Sequence, residues 1–395
     1  LQHFDVLIVG GGMAGATAAI TIKKQHPHCR IAVIEAFAPK TNTHPSFDDR
    51  SIALAEQSIE YLSRLELFSK EWRFAEPILQ VNVSDRGHFG KTTIEPKAYD
   101  VDALGYVVEV NPYGQFLHQQ LQTHDITVFC PATVSSLSQH LDYVEVSIAL
   151  ASSEQKVSLQ ASLLVVADGA QSPTRALLNL EFNSFPYEQG ALIANVKVAQ
   201  GHKGHAFERF TPQGPMALLP MSDDRYSVAW CMNREALDDV LAYDDAQFLA
   251  RLQQEFGYRG GIFEAVGMRS SYPLVHGRVS DVVHHRVVLI GNAAHAIHPI
   301  AGQGFNLGVR DIQCLNACLK QHDVSEWGSH AFTQAYKVAR ERDISRVMTL
   351  TDGLVRLFSN HSRTVAFGRS CGLLLMSLFT NFKAPLAKQL MGRVK

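Results

Sequence analysis

The 395-residue sequence predicts an α/β protein: a Rossmann-like domain interrupted by an inserted, mostly antiparallel β-sheet domain and followed by C-terminal helices. Three observations predict it. First, an apolar strand over residues 4–9 runs into Gly10-Gly11-Gly12-Met13-Ala14-Gly15 and a small-residue helix over about 13–25, and a second strand, Arg30 to Glu35, completes a βαβ opening. Second, from 190 to 233 the pattern changes to alternating segments (Leu192 to Val198, Ala206 to Thr211, Met216 to Pro220, Tyr226 to Cys231), which suits a half-buried antiparallel sheet. Third, a short apolar strand, Val287 to Ile290, ends at Gly291, and helical spacing fills most of the chain after it.

The other elements fall between these. Residues 51–67 place Ile52, Leu54, Ile59, Leu62 and Leu65 at helical spacing, and 78–95 alternate like strands around an Asp85-Arg86-Gly87 turn. A helix is expected over about 112–122, with strands near 126–130, 143–150 and 157–160 and a further one from Leu163 to Ala167. A helix near 244–256 and a strand near 264–269 return the chain to the first domain. The expected boundaries are 1–75, 98–180 and 270–343 for the nucleotide-binding domain, 76–97 and 181–269 for the sheet domain, and 344–395 for the C-terminal helical segment.

Composition narrows the function. With 46% hydrophobic residues there is material for a large core, and 36 Lys plus Arg against 38 Asp plus Glu give a net charge of -2, without the basic excess a polyanion-binding protein carries. Nucleic acid is therefore not an expected partner. Six cysteines, at 29, 130, 231, 314, 318 and 371, form no CxxC pair, and the eighteen histidines form no HxxxH or HExxH pattern. Reduced thiols in a cytoplasmic protein and no metal site are the expectation. The first apolar run leads straight into the glycine loop, so no signal peptide is expected there. The most apolar later stretch, Cys371 to Phe379, is too short to span a bilayer, which leaves peripheral attachment as the expected upper limit.

Three glycine-marked segments carry the chemistry. In the first, Gly10 permits a tight turn, Gly12 lets backbone approach a pyrophosphate, and Gly15 lets helix and strand pack closely. Glu35, twenty residues past Gly15, sits where a carboxylate meets ribose hydroxyls. This motif predicts a dinucleotide but does not separate NAD from FAD. The second, Val165 through Asp168-Gly169 to Ser172 with Arg175 beyond, reads by itself as a strand ending in a plain turn. The third runs from Gly291-Asn292 through His295, His298-Pro299-Ile300-Ala301-Gly302-Gln303-Gly304-Phe305-Asn306 to Gly308 and Asp311. Its glycines can present successive N–H groups at a helix N-terminus, suited to the negative N1–C2=O edge of a reduced flavin, and Asn292 can bond a ribityl or ribose hydroxyl.

Taken together, these segments resemble the single-component aromatic hydroxylases that use FAD, the para-hydroxybenzoate hydroxylase superfamily. The run from His298 to Asp311 is similar to the signature of its ubiquinone-biosynthesis group. Phe47 to Arg50, Val83 to His88, Pro186 to Gln189 and Ala206 to Thr211 resemble the 2-polyprenyl-6-methoxyphenol hydroxylase branch. The resemblance implies that Gly10, Gly12, Gly15 and Glu35 hold the ADP half of FAD, that Arg50 reaches the pyrophosphate, that the Val134 backbone meets the adenine, and that Asp168 and Gly169 form a motif shared with pyridine-nucleotide binding. Gly291, Asn292, Gly302, Gly304, Phe305 and Asn306 would complete the cofactor site. Two departures stand out: Gly-Asp in the family is Gly291-Asn292 here, and an arginine usual near 112 is replaced by Asn111-Pro112.

The resemblance further implies that NAD(P)H reduces FAD, that O2 forms a C4a-hydroperoxide, and that a lipid-like phenol takes one oxygen, with Pro299, Ala301, Gly302, Gln303 and Gly304 as the catalytic loop. With a single dinucleotide fingerprint, NAD(P)H is expected to bind only transiently. A general base near the phenol is expected, with Tyr187, His205, Arg209 and His298 all open candidates. Phe207, Phe210, Met216, Leu218, Met221 and Trp230 are expected to face the flavin domain, as core or as the wall of a prenyl pocket. The tail reads either as a packed helix pair or as a face for a membrane or partner. Homo-oligomers and association with other proteins of the pathway are left open.

Overall fold

The computed structural model describes residues 2–38, 50–151, 156–299, 302–358 and 363–393. Its centre is a sheet in which Gln2–Val9 lies between Ile31–Ile34 and Lys156–Val166, all parallel, with Thr127–Phe129 beyond the first neighbour and Val287–Leu289 beyond the second. These strands are near-continuous apolar runs because both faces are covered. One face packs Val6, Ile8 and Val165 against the helices Met13–Gln25, Val110–Thr123 and Gln303–Gln321. The other packs Leu7, Val9 and Leu164 against Val144, Val146 and Ile148 of the antiparallel strands Ala132–Gln139 and Val144–Leu150.

The strands end flush. Val9 pairs with both Ile34 and Val166, and Val166 with Leu289, so Gly10, Glu35, Ala167 and Ile290 leave the sheet at one level. The chain order reverses across Gln2–Val9, which makes this carboxyl edge the switch-point crevice where such folds bind ligands.

A second sheet has the order Ser270–Val279, Phe182–Val198, Arg225–Asn233, Gly214–Met221, His205–Thr211, Gln80–Asp85, Lys91–Ile94. The last two form the expected hairpin, turning at Gly87 with φ +78°. The sheet's two faces do different work. Under the helices Arg234–Ala242 and Asp245–Phe256, Met216, Leu218 and Trp230 pack with Phe248, Leu252 and Phe256. Phe210 and Met221 belong instead to clusters formed with the C-terminal helices. Of the six residues expected to face the flavin domain, Met216, Leu218 and Trp230 point the other way, and Phe207 packs with them while also reaching an apolar cavity beside the flavin domain. Strand alternation splits them, and the sequence does not say which side each takes.

Three further expectations change. Residues 51–67 are not one helix: Ser51–Ala55 is a strand paired with Gly105–Glu109, and the helix is Glu56–Arg64. Ile52 and Leu54 fit either period, and the available sheet partner decides. The two strands expected over 157–167 are one, Lys156–Val166, whose first half also pairs antiparallel with Val144–Leu150. Ser270–Val279, placed with the nucleotide-binding part, pairs with Phe182–Val198 of the second sheet.

The helices His330–Phe358, Arg363–Leu378 and Thr380–Leu390 close the molecule. Arg363–Leu378 lies on the hairpin strand Lys91–Ile94, so close that a Cβ on Gly90 would stand 2.6 Å from the Ser370 Cα. A buried Arg369–Asp85 ion pair at 2.9 Å fixes the contact. The tail end is held by Arg393, whose guanidinium donates to Glu56 at 2.8 and 3.0 Å.

Candidate functional site: a dinucleotide crevice beside an apolar cavity

At the first strand end, Gly10 takes φ +96°, and a Cβ there would meet the Ala167 carbonyl oxygen at 2.5 Å. At Gly15 a Cβ would lie 1.8 Å from the Gly10 oxygen, so the helix reaches the strand only without a side chain. A Cβ on Gly12, by contrast, would meet nothing within 4 Å. The N-terminus of Met13–Gln25 thus faces open space with no side chain capping it, which suits a pyrophosphate.

Glu35 is held at the next strand end. Its Oε2 accepts from the Gly11 N–H at 2.6 Å and its Oε1 from Phe37 N–H at 2.8 Å. Each carboxylate oxygen keeps further acceptor capacity, so the geometry is fit for a ribose diol. Val134, in the strand Ala132–Gln139, is half-buried and packs beside this corner of the core. Arg50 is exposed, with its guanidinium 5.3 Å from the centre of the Tyr272 ring. Of the segment that resembles the family just before it, Phe47, Asp48 and Asp49 lie outside the described residues.

At the third strand end, Gly169 has φ +91°, and Asp168 caps the following turn by accepting from Thr174 N–H at 3.1 Å. Its other carboxylate oxygen is buried with no hydrogen-bond partner among the described residues, an orphaned acceptor that a bound hydroxyl would satisfy. Arg175 ties this loop to the next, donating to the carbonyls of Ala170 at 2.8 Å and Ala293 at 2.9 Å.

The fourth strand end is organised by Asp311. Its Oδ2 accepts from the Gly291 N–H at 2.8 Å and bonds His295 Nε2 at 2.7 Å, and its Oδ1 accepts from Arg340 Nε at 2.8 Å. Burial pushes the Asp311 carboxyl up, but His295, Arg340 and the Gly291 N–H together hold it below the usual carboxylate range. The Gly291 turn, at φ +57°, is thereby anchored, and Asn292 is exposed at its tip, where an amide can reach a ligand hydroxyl.

Beyond Pro299 the described chain resumes at Gly302, whose φ of +61° opens the helix Gln303–Gln321. Ala301, expected in the catalytic loop, lies outside the described residues, as does Ile300. A Cβ at Gly302 would stand 2.8 Å from that of Ala53, while one at Gly304 would meet nothing within 4 Å. Phe305 packs on the core near Tyr113, their ring centres 6.5 Å apart. Asn306 is spent on backbone: its amide donates to the carbonyls of Ala53 at 2.7 Å and Gly302 at 2.8 Å, and its oxygen accepts from Ala55 N–H at 2.8 Å. It shapes the loop, with its amide already engaged by protein. The open backbone at Gly12 and Gly304, the orphaned Asp168 oxygen and the pinned Glu35 fit an extended dinucleotide lying across all four strand ends.

Beside this crevice is a cavity of about 470 Å3. Ala53, Ala55, Gln303 and Asn306 form one end, the sheet residues Val81, Val83, Ile94 and Phe210 a wall, and Leu357, Val365, Gly372 and Met376 of the C-terminal helices the rest. Its ionisable lining residues among those described are Glu208, Arg369 and Lys383. None of His205, Arg209 and His298 lines it, and the Tyr187 side chain lies outside the described set. His298 is fully buried, and burial with neighbouring His276 lowers it to about 4, so it is neutral at ordinary pH. Sequence reasoning missed Glu208, which alternation along His205–Thr211 places on the cavity side with Ala206 and Phe210, and it missed the bracing by Arg175. No group of three or more His, Cys, Asp or Glu among the described residues could hold a metal ion, and no described helix is long and apolar enough to cross a membrane.

Comparison with known proteins agrees with this geometry. A family model described as an FAD binding domain matches residues 3–351. The ubiquinone hydroxylase UbiL of Rhodospirillum rubrum is 32% identical over 403 residues, covering 99% of this chain and 90% of that protein. The 3-demethoxyubiquinol 3-hydroxylase of Escherichia coli is 27% identical, covering 94% of each. Among solved structures, p-nitrophenol 4-monooxygenase of Pseudomonas putida superposes with a TM-score of 0.80 at 19% identity over the full length of both chains, which shows a common fold.

Proposed function

The chain belongs to the FAD binding domain family, and from that membership we propose that it hydroxylates a 2-polyprenyl-6-methoxyphenol, para to the hydroxyl, with NAD(P)H as a transient reductant. It is an FAD-dependent monooxygenase, and with its relatives named as ubiquinone hydroxylases it is a hydroxylase of ubiquinone biosynthesis. The observation that carries the finer reading is the juxtaposition of the Gly302–Gly304 helix start with a cavity whose walls are almost wholly apolar. A ring at the Gln303 end with a hydrocarbon chain trailing away from it matches that gradient.

Bound FAD supplies electron storage and oxygen transfer, and the protein positions it. In this proposal Gly10, Gly12, Gly15, Glu35 and Arg50 hold the ADP half, the Val134 backbone meets the adenine, and Asp168, Gly169, Gly291 and Asn292 take the linking hydroxyls. The N–H groups of Gln303 and Gly304 and the positive end of their helix would face the ring system of the cofactor, where negative charge is stabilised without reorganisation. Asn306 positions that helix start through the Gly302 carbonyl, and Asp311 holds the Gly291 turn packed against the same helix. The apolar walls exclude water from the reacting ring.

The reading extends to location. Phe367, Leu374, Leu375, Leu378, Phe379 and Phe382 are exposed together on the C-terminal segment, and a polyprenyl substrate resides in a bilayer; this face rests on a lipid surface while the rest stays in water.

The test is direct. FAD-loaded protein is incubated with NADPH, isotopically labelled O2 and a short-chain 2-prenyl-6-methoxyphenol, and the product is weighed. One labelled oxygen on the ring, located by fragmentation para to the hydroxyl, is the expected result. A labelled hydroxyl at another ring carbon would displace the substrate assignment within the pathway, and NADPH oxidation to peroxide alone would sink it.

A further inference from the structure

We propose that the helix Arg363–Leu378 lines a binding subsite of this cavity for the isoprenoid tail, in which Gly368 and Gly372 set how much chain is accepted. The inference rests on the polyprenyl phenol as substrate class and adds a site and two specificity-determining positions to it.

Along that helix, Val365, Gly368, Gly372 and Met376 recur at intervals of three or four and all line the cavity, so one helical face is given over to it. Glycine inside a helix weakens it relative to alanine, and a packing reason is the usual compensation. Gly90, under the same helix, has one: a Cβ there would collide with the Ser370 backbone. Gly368 and Gly372 have none, since a Cβ at either would meet nothing within 4 Å. Both line the cavity, Gly372 half-buried and Gly368 exposed.

The polar groups of this half show what the space is for. Arg369 donates to Asp85 at 3.1 Å and to the Leu357 carbonyl at 2.8 Å, and Lys383 Nζ donates to the Thr93 carbonyl at 3.0 Å. Both cations in the wall are therefore already bonded to protein, and apart from Thr92 and Glu208 the groups around them are apolar: Leu354, Leu357, Phe358, Val365, Leu373 and Met376. Thr92, whose buried hydroxyl has no hydrogen-bond partner among the described residues, is one polar exception in a lining that is otherwise mostly apolar, so most of the space suits a hydrocarbon chain. The opposite end, at Gln303 and Asn306, meets the cofactor loop, so a ring there and a chain along the glycine face occupy one continuous space.

The experiment uses full-length, FAD-loaded protein and ring-free isoprenoid alcohols, geraniol, farnesol and geranylgeraniol, titrated calorimetrically. Affinity is expected to rise by about tenfold or more per isoprene unit until the cavity is full, as burial of five carbons at a time dictates. Gly372→Leu should weaken the longest alcohol by about tenfold or more and bring the plateau forward by a unit, while Gly372→Ala changes it by less than about threefold. If Gly372→Leu fails to fold, Met376→Trp fills the same space from one turn away and carries the same expectation. Equal affinities across the alcohols, or a folded Gly372→Leu or Met376→Trp that binds them as the unaltered protein does, overturns the proposal. Binding with this pattern in a protein that never hydroxylates a methoxyphenol would keep the tail site and discard the ring assignment, so the two failures are distinguishable.

Discussion

His298 illustrates how one residue can sit inside a functional motif and act through burial. It is fully shielded, its imidazole is lowered to about 4, and it does not line the cavity. Because the folded-state pKa lies below the unfolded value of about 6.5, the unfolded chain binds the proton first as pH falls. The stability this implies is fully present above about pH 6.5 and is lost progressively down to about pH 4. Between pH 7.5 and 5.0 the group alone should cost about 2 kcal/mol. Urea unfolding at both pH values, compared between the unaltered protein and His298→Asn, checks this: the variant should lose less stability on acidification, and an equal loss in both would show that other groups dominate. The glycines carry the opposite lesson. Gly10 and Gly15 are legible from sequence because spacing alone identifies them, and the structure supplies the reason, backbone contacts that no side chain survives. Asp311 is legible only as a member of a motif; its three partners come from His295, Gly291 and a helix 29 residues further on, and no local pattern announces that convergence.

At the level of elements, the βαβ opening can be read almost to the residue, because the parallel sheet is buried on both faces and the helix between its strands carries the glycine pattern. Where a segment's partner lies far along the chain, local pattern misleads. Ser51–Ala55 and Ser270–Val279 are strands because Gly105–Glu109 and Phe182–Val198 are there to receive them. The helix Arg363–Leu378 reads from sequence, with its neighbours, as an apolar tail; its cavity face is invisible there because the walls opposite its glycines come from strands nearly 300 positions earlier. Its attachment is testable. Arg369 and Asp85 are both buried, and Arg369→Leu leaves a carboxylate without its main charge partner, which should cost about 3–5 kcal/mol. Hydrogen exchange is the suitable probe, since the amides of 363–378 and of the Asp85 turn should lose protection together while the parallel sheet keeps its own. Uniform loss over the whole chain would mean that the helix is no separable unit.

For the whole molecule, one carboxyl edge carries four loops, and the second sheet and the C-terminal helices enclose a space beside it. That arrangement predicts a polarity of surface: the exposed Phe367, Leu378 and Phe382 lie on the segment that encloses the cavity. The full chain should sediment with liposomes, and Phe367→Asp combined with Phe382→Asp should reduce the bound fraction several-fold while turnover of a water-soluble short-chain phenol is retained. Undiminished sedimentation of the double variant would place the lipid contact elsewhere.

Asn306 has a consequence in time as well as space. Its side chain is bonded to Ala53 and Ala55, 253 and 251 positions earlier, and to Gly302 beside it. A ribosome releases the strand Ser51–Ala55 long before Asn306 exists, so the first glycine turn and its flanking strands can form on the nascent chain while the Gly302 turn waits for residue 306. A growing chain arrested before residue 306 should therefore lack the bonded Gly302 turn that the proposed flavin site requires.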